Sequence, residues 1–348
     1  MRRSLIVGVL VVVVLLEGAA RLLAPHIPGQ LVWDTQFTQD KADQIAAADL
    51  VDVVYVGSSV VNAGIDPGLV SANSRFDSGY NAAIPSTTPS TWKIWMRDLV
   101  FPDLCPSVVV IGISVRDYND GNVGIPFDLR SYLPSAGRLE LYGQFTSASL
   151  EQQIGRYSAF VRIRSRLRQP EKVARFLMLG RVPGWPATVL TPDGRYTGWD
   201  DNEFVDPSPE GIEQLTTKVF VNFSVGGPED LAVRAIIEDA QALGGRVVIV
   251  RMPTMNELIA PLLPSGQDDL DKFERQVEKL GEDYDLPVIV YPDMDDNATL
   301  FGDLYHMNLA GTTEFSTRLG SDLDRLVWPS DGARCGTRPP APELAVLP

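Results

Sequence analysis

The sequence has few of the residues that bind metals or carry out redox chemistry. Its 348 residues include only two cysteines and two histidines. Cys105 and Cys335 form neither a zinc knuckle nor a Cys-x-x-Cys redox pair. A disulfide between them would require an oxidising compartment. Because Cys105 precedes a predicted core strand and Cys335 lies in a proline-rich tail, the sequence favours unpaired thiols.

Basic residues are also scarce relative to acidic ones. Lysine and arginine number 30 against 45 aspartates and glutamates, which gives a formal net charge of -15. Binding to nucleic acid requires a basic surface, so this balance argues against a nucleic acid partner. With 45% hydrophobic residues, the chain can bury one large core or two modest ones.

Familiar binding-loop motifs are missing as well. Residues 57–64 have neither the Gly-Lys-Ser/Thr ending nor the Gly-x-Gly start of phosphate-binding loops. Residues 57–61 are not the nucleophile elbow of α/β-hydrolases, which requires glycine at the position of Val61. The acidic run 293–297 lacks the glycine and the distal glutamate of an EF-hand loop, which favours a solvated turn over a calcium site. We therefore predict no metal and no cofactor.

A long apolar run is present at the amino terminus. It covers residues 5–16 after two arginines and, extended through Leu23, reaches roughly the 20 residues of a bilayer span. Arginines before the run favour a cytoplasmic amino terminus and an extracytoplasmic remainder. A cleaved signal peptide is the alternative. Since no clean Ala-x-Ala site follows at the usual distance, we predict an uncleaved single-pass anchor that contacts lipid through residues 4–24.

Strand and helix patterns alternate from residue 51 onward, which predicts a doubly wound parallel α/β sheet in a flavodoxin-like three-layer sandwich. Short apolar runs rich in β-branched residues predict strands at 53–56, 107–113, 246–250 and 288–291. A further short strand is predicted near residues 76–82. Amphipathic patterns predict helices at 39–48, 86–100, 228–243 and 268–280, and a last helix that ends near residue 326. Asp66 is predicted to cap a further short helix with Pro67 in its first turn.

The predicted organisation is an anchor at 1–24, a connector at 25–50, a main domain at 51–328 and a proline-rich tail at 329–348. Within the main domain, the alternation breaks at 121–227, which indicates a long, mostly helical insertion. Its basic stretch 150–179 either contacts anionic lipid or a membrane partner, or is an amphipathic helix with a solvated face. Trp185, Tyr196 and Trp199 follow, and they would either stack on sugar rings or pack beneath their loop.

The chemistry is predicted at the end of the first strand. Ser59 follows residues 53–56 and Gly57, and ligands bind at the carboxyl ends of parallel strands. His26 lies beside the apolar run, so His306 is the candidate base for the Ser59 hydroxyl. Asp303, three residues before His306, is placed to fix the tautomer of the imidazole.

The order of these stretches resembles the motif order of the SGNH (GDSL-type) hydrolase superfamily. Gly57-Ser58-Ser59 is similar to its Gly-Asp-Ser, with Ser58 in place of the aspartate. Residues 81–86 resemble its Asn-x-x-x-x-Gly, with Ser86 at the glycine position. Residues 114–117 lie where Gly-x-Asn-Asp is expected, with Arg116 at the asparagine position, and Asp303 and His306 match Asp-x-x-His.

This resemblance implies an SGNH-like fold and roles for individual residues. Ser59 would be the nucleophile, His306 the base and Asp303 the residue that orients it. Backbone N–H groups of Ser59 and Ser86 would bind the oxyanion, with Gly57 in the same binding region. The side-chain oxyanion donor is missing, and it would be replaced by Arg116, by Asn119 or by nothing.

The anchor, the altered third motif and the insertion are similar to a membrane-tethered branch linked to alginate acetylation and teichoic acid D-alanylation. That resemblance implies transfer of an acyl group through Ser59 to an envelope glycan, or hydrolysis of the same ester, beside a multi-pass membrane acyltransferase. One alternative is a catalytically silent relative that binds glycan or a membrane partner through the insertion. Another is a stand-alone secreted esterase.

Overall fold

The computed structural model of the chain describes residues 2–26, 33–121, 158–179 and 190–327. The chain forms two compact units. One consists of Met1–Ala42 and Asp128–Ala187, and the other of Asp43–Phe127 and Thr188–Pro348. The domain boundaries expected from the sequence stay a prediction.

Five strands and a larger number of helices form the described part of the chain. The strands are β1 (Val53–Val56), β2 (Gly79–Asn81), β3 (Val108–Ile113), β4 (Arg246–Arg251) and β5 (Val288–Ile289). The helices are α1 (Arg2–Leu23), α2 (Trp33–Ala47), α3 (Ser59–Gly64), α4 (Pro67–Ala72), α5 (Pro89–Trp95), α6 (Phe101–Leu104), α7 (Ala159–Leu167), α8 (Pro170–Leu179), α9 (Pro209–Gln214), α10 (Pro228–Ala242), α11 (Asn256–Ile259), α12 (Gln267–Tyr284) and α13 (Leu309–Leu326). Turns of 3-10 helix cover Ala24–His26, Ala260–Leu262 and Ala298–Leu300, and π-helical turns cover Met96–Val100 and Leu215–Val219.

The second unit contains a five-stranded parallel sheet with the order β2-β1-β3-β4-β5. Every residue of β1 and β3 is buried, as expected for strands covered on both faces. The strand order reverses direction between β1 and β3. Helix α13 packs against α3 and α4, and helix α5 packs against α10. The predicted parallel sheet is confirmed. Its switch point lies where β1 and β3 end, which is where ligands bind in such sheets.

Two helices begin at residues other than the predicted ones. Helix α2 begins at Trp33, six residues before the predicted start at 39. Helix α5 begins at Pro89 instead of residue 86, with Thr88 as its N-cap, because proline fits the first turn of a helix. The predicted cap at Asp66 is present: its carboxylate accepts the Leu69 N–H at 3.0 Å.

In the first unit, helix α1 packs against helix α7 through Ala20, which is buried with Ala159 and Ile163, and through the carboxylate of Glu17. Glu17 accepts hydrogen bonds from the Ser158 hydroxyl at 2.8 Å and from the N–H groups of Ala159 and Phe160 at 2.9 and 3.2 Å. Glu17 therefore accepts hydrogen bonds from N–H groups in the first turn of α7, which have no partner within the helix. Burial acts to raise the pKa of Glu17, but these bonds and Arg21 lower it to about 2.

Helix α1 covers almost the whole of the predicted membrane anchor. Its last turns carry Glu17 and Arg21, which form an ion pair at 2.8 Å. Among residues 2–26, 33–121, 158–179 and 190–327, no helix meets the length and apolar character that crossing a membrane requires. The transmembrane helix predicted at 1–24 is thus not supported.

Two further expectations are corrected or limited by the structure. Cys105 is disulfide-bonded, so the prediction of an unpaired thiol there is wrong; Cys335 lies outside the described residues. The basic stretch 150–179 is two helices, α7 and α8, in its described part, because Pro170 ends one and begins the next. Residues 150–157 and Trp185 lie outside the described residues.

Candidate active site

Two glycines let helix α3 lie close against the sheet at the end of β1. A Cβ added to Gly57 or to Gly112 would lie 2.3 Å from Val61 Cγ2 in either case. Val61 of α3 thus occupies space that exists only because both residues lack side chains. Gly57 is buried, and its carbonyl accepts the Ile84 N–H at 2.9 Å. The requirement for glycine at position 57 is therefore steric.

Ser58 caps helix α3 and fixes its start to the turn after β3. Its hydroxyl accepts the Val60 N–H at 3.3 Å and donates to Asp117 Oδ2 at 2.9 Å. Ser114 donates to the same carboxylate oxygen at 2.7 Å. Burial raises the pKa of Asp117, although the charge of Arg116 and the two hydroxyls act to lower it. Asp117 thus links the ends of β1 and β3 from inside the protein.

Asn81, at the end of β2, holds the other end of helix α3. Its amide donates to the carbonyls of Val61 and Ile65 at 3.0 and 2.9 Å. Its oxygen accepts the Ala83 N–H at 3.2 Å. Asn81 is fully buried. It therefore satisfies carbonyls at the carboxyl end of the helix that presents Ser59.

The candidate histidine lies in a closed loop before helix α13. An antiparallel bridge joins Phe301 to Met307, and the Gly302 N–H donates to the His306 carbonyl at 2.8 Å. Asn308 then caps α13 by accepting the Gly311 N–H at 3.1 Å. The closed loop limits the freedom of His306 before any substrate binds.

Ser59, His306 and Asp303 form a continuous hydrogen-bonded chain. His306 Nε2 lies 2.8 Å from Ser59 Oγ, and His306 Nδ1 lies 2.8 Å from Asp303 Oδ2. Asp303 Oδ1 accepts the N–H groups of Tyr305 and His306 at 2.9 and 2.8 Å. Burial acts to raise the pKa of Asp303. The charge of His306, its hydrogen bond and the two backbone donors outweigh burial and hold that pKa below its usual range.

Two aromatic side chains enclose the imidazole of His306, which is 7% exposed. The Trp199 ring is stacked on it, with centroids 4.2 Å apart and an interplanar angle of 10°. Tyr305 meets it edge-on at 5.3 Å and 79°. The imidazole plane is therefore held on one face and at one edge by rings from different parts of the chain.

A cavity of about 360 Å³ opens beside His306. Val205, Pro207, Leu215 and Val219 line its apolar wall. Arg116, Asp303 and His306 line its polar side. The Arg116 guanidinium lies 5.6 Å from the centroid of the Tyr305 ring. Burial raises the pKa of Tyr305 to about 12, so its hydroxyl stays neutral in the working range. The cavity thus combines an apolar wall with one cation.

Ser86 and Asn119, two further site residues predicted from the sequence, lie in different environments. Ser86 is exposed and has φ of 59°, a left-handed conformation that favours glycine. That conformation matches the glycine expected there from the motif resemblance.

Asn119 is fully buried. Its amide donates to the Val219 carbonyl at 2.7 Å, and its oxygen accepts the N–H groups of Gly121 and Ser224. Its side chain is committed to these loop contacts, so it does not replace the missing oxyanion donor.

Two aspartates of the acidic run 293–297 form ion pairs with arginines. Asp295 forms two bonds of 2.6 Å to the buried Arg251, and Asp293 pairs with Arg318 at 2.6 Å. The expectation of a simply solvated turn is therefore wrong for Asp295. Among the described residues, no group of His, Cys, Asp and Glu side chains is arranged to hold a metal ion.

Several site residues did not follow from sequence patterns. The Asp117 network, the Trp199 stack and the cavity wall at Leu215–Val219 join segments more than 50 residues apart along the chain, as the separation of 59 residues between Ser58 and Asp117 illustrates. The aromatic content of the loop around Trp199 was the only signal that pointed to any of them. It did not indicate which ring, if any, would meet the histidine.

Comparison with known proteins does not show the family. No described protein family and no curated protein matches the sequence. An inhibitor-bound aryl esterase from M. smegmatis is similar in structure, with a TM-score of 0.34 and 10% identity over 79% of this chain and 100% of its own. A carbohydrate acetylesterase from Sinorhizobium meliloti has a TM-score of 0.33 and 11% identity over 79% of this chain and 97% of its own.

Proposed function

We propose that the protein is a serine esterase or O-acyltransferase that works through an acyl intermediate on Ser59. The observation that carries this proposal is the chain of 2.8 Å contacts from Asp303 through His306 to Ser59. Each contact is within hydrogen-bonding reach, and the carboxylate lies on the nitrogen opposite the serine. This arrangement is the one that general-base activation of a serine hydroxyl requires.

The first half of the reaction forms the acyl intermediate. As Ser59 Oγ attacks the carbonyl carbon of an ester, its proton passes to His306 Nε2. Asp303 keeps the other ring proton on Nδ1 and stabilises the imidazolium. When the tetrahedral intermediate collapses, the ester C–O bond breaks and the leaving alcohol takes the proton from Nε2. Ser59 is then acylated, and His306 is neutral again.

The second half repeats these steps with a new nucleophile. Water or an acceptor hydroxyl gives its proton to His306 Nε2 and attacks the acyl-serine, and Ser59 Oγ leaves with that proton. With water the outcome is hydrolysis, and with a sugar hydroxyl it is acyl transfer. The backbone N–H groups of Ser59 and Ser86 are the proposed oxyanion donors, and Arg116 adds a positive charge at the cavity.

The finer assignments rest on the motif resemblance to SGNH hydrolases. An envelope glycan as acceptor, a multi-pass acyltransferase as partner and an extracytoplasmic location stay predictions. The cavity beside His306 supports a substrate larger than a bare acetyl ester, because about 360 Å³ lies within the size range of small-molecule sites.

A catalytically silent glycan-binding protein is the second candidate. One observation favours it: the side-chain oxyanion donor is absent, because Arg116 replaces the expected asparagine and Asn119 is committed to Val219. The two candidates differ in whether Ser59 is reactive.

Labelling by a fluorophosphonate probe distinguishes them. Wild-type protein should be labelled at Ser59, and Ser59→Ala should not be labelled at all. His306→Ala should react on the order of a thousandfold more slowly, since the serine loses its base. The site of labelling is read by mass spectrometry of the tryptic peptides.

Ser58→Ala is the matched control for the adjacent hydroxyl. It keeps Ser59 and should still be labelled. If folded wild-type protein reacts no faster than Ser59→Ala, the esterase proposal fails and the binding protein is favoured.

A further inference from the structure

We infer that Trp199 is a positioning residue for His306, an inference that rests on the proposed acyl transfer. Its indole covers one face of the catalytic imidazole. The ring centroids lie 4.2 Å apart and the planes are within 10° of parallel. No motif places a tryptophan here, and the residue comes from a segment more than 100 residues before the histidine along the chain.

The stack opposes a tilt of the imidazole plane. Asp303 and Ser59 are contacted by atoms that lie in the ring plane. A tilt of that plane would lengthen both contacts at once. A flat ring packed against the face opposes the tilt, and the Tyr305 ring packs beside the imidazole at 79° to its plane.

The segment that carries Trp199 is itself fixed to the site. The carbonyl of its neighbour Asp200 accepts the Leu309 N–H at 3.1 Å, directly at the start of helix α13. The Asp200 carboxylate pairs with Arg195, which is 4% exposed. A Cβ added at Gly302 would lie 2.8 Å from Asn202 Cβ, so this glycine lets the segment after Trp199 lie close to the histidine loop.

The indole also favours the charged state through which His306 passes. When Nε2 takes the serine proton, the imidazolium forms against the electron-rich face of the indole. An aromatic face attracts a cation at this distance, and tryptophan does so most strongly. Because this charge exists only after proton transfer begins, loss of the stack should lower kcat more than it raises KM.

The test compares an aromatic and an aliphatic replacement. Trp199→Leu should react with a fluorophosphonate probe about ten- to a hundredfold more slowly than wild type, since small misplacements of catalytic groups have effects of this size. Trp199→Phe, which keeps a flat ring, should recover most of the rate. With p-nitrophenyl acetate, the Leu variant should lose kcat while KM changes little.

Tyr196→Leu is the matched control, because it removes an aromatic ring from the same segment, where that ring packs over Gly198. It should react like wild type. The thermal unfolding transition of each variant is measured first, and the assays are run below it so that every variant is folded. If Trp199→Leu does not fold, Trp199→Met replaces it as the non-aromatic variant.

The outcomes separate this inference from the proposed function. If wild type is not labelled, both fail. If wild type is labelled and the folded Leu or Met variant reacts equally fast, the inference alone is overturned. A Phe variant as slow as the aliphatic one also overturns it, because a flat ring would then not be the requirement. Unchanged rates on small esters with lost binding of a glycan would instead assign Trp199 to sugar stacking.

Discussion

At the scale of single residues, the carboxylate of Asp303 orients His306. One oxygen faces His306 Nδ1 and the other accepts two backbone N–H groups. Although burial acts to raise the pKa of Asp303, the charge of His306, its hydrogen bond and the backbone donors hold that pKa below its usual range, so the carboxylate is ionised in the working pH range. Both oxygens are therefore occupied before any substrate binds.

Asp303→Asn should therefore lower kcat by about a thousandfold or more while the protein stays folded. An amide retains the size of the carboxylate but not its charge, and it would no longer hold the Nδ1 proton in place. Steady-state hydrolysis of p-nitrophenyl acetate measures the effect. The matched control is Asp293→Asn, an exposed partner of Arg318, which should keep wild-type rates. Equal activity of Asp303→Asn and wild type would contradict the assigned role.

At the scale of elements, the position of Ser59 depends on how closely α3 approaches the sheet. Val61 lies in the space left by Gly57, just after β1, and by Gly112 of β3. Asn81 satisfies the far end of the helix, and Thr312 of α13 donates to the Ala63 carbonyl at 3.0 Å. The helix is thus held both against the sheet and at its carboxyl end.

Gly57→Ala should destabilise the protein by about 1–3 kcal/mol through overpacking. The new Cβ would lie 2.3 Å from Val61 Cγ2 and 2.9 Å from the Gly112 carbonyl oxygen. Adding Val61→Ala removes the clash with Cγ2 but leaves the Cβ of residue 61 at 2.7 Å and the Gly112 oxygen at 2.9 Å. The double variant should therefore show a coupling of about 0.5–3 kcal/mol relative to the sum of the singles.

Urea unfolding of the two single variants and the double variant measures this coupling. Gly8→Ala in α1 is the matched control, because an added Cβ there meets nothing within 4 Å. It should be neutral or slightly stabilising. Strict additivity of Gly57→Ala and Val61→Ala would contradict the packing argument.

At the scale of the whole molecule, the buried Asp117 links the ends of β1 and β3 and makes stability depend on pH. Burial raises its pKa in the folded state above the value of about 3.9 in the unfolded chain. Below that value both states are protonated and the stabilisation is fully present. As pH rises, the unfolded chain releases the proton first, so the free energy of unfolding falls until the folded pKa is passed.

Asp117→Asn should remove this dependence. The difference in free energy of unfolding, wild type minus variant, should decrease from about pH 4 upward, by at most about 1.4 kcal/mol per pH unit because one proton is involved. Urea unfolding between pH 4 and 7 measures it. Buried Glu229 and half-buried Asp120 also have raised pKa values, but both proteins contain them, so the difference isolates Asp117. A constant difference over this range would contradict the assignment.

The sequence by itself determined the sheet and the order of the candidate site residues. Residues 53–56 and 107–113 are β-branched apolar runs, and such runs form buried parallel strands wherever helices cover both faces. Ser59 follows the first run directly, and a single histidine is available outside the amino-terminal segment. These are local signals, and they predicted the strands and the candidate serine, histidine and aspartate together.

Only the tertiary structure decided what surrounds those groups. The Ser58–Asp117 bond, the Trp199 stack and the cavity wall at Leu215–Val219 each join chain segments that no local periodicity relates. It also assigned Asn119 to Val219 and paired Asp295 with Arg251. A local pattern reports which face of an element is apolar. It does not report which distant side chain meets that face, because that depends on how the whole chain packs.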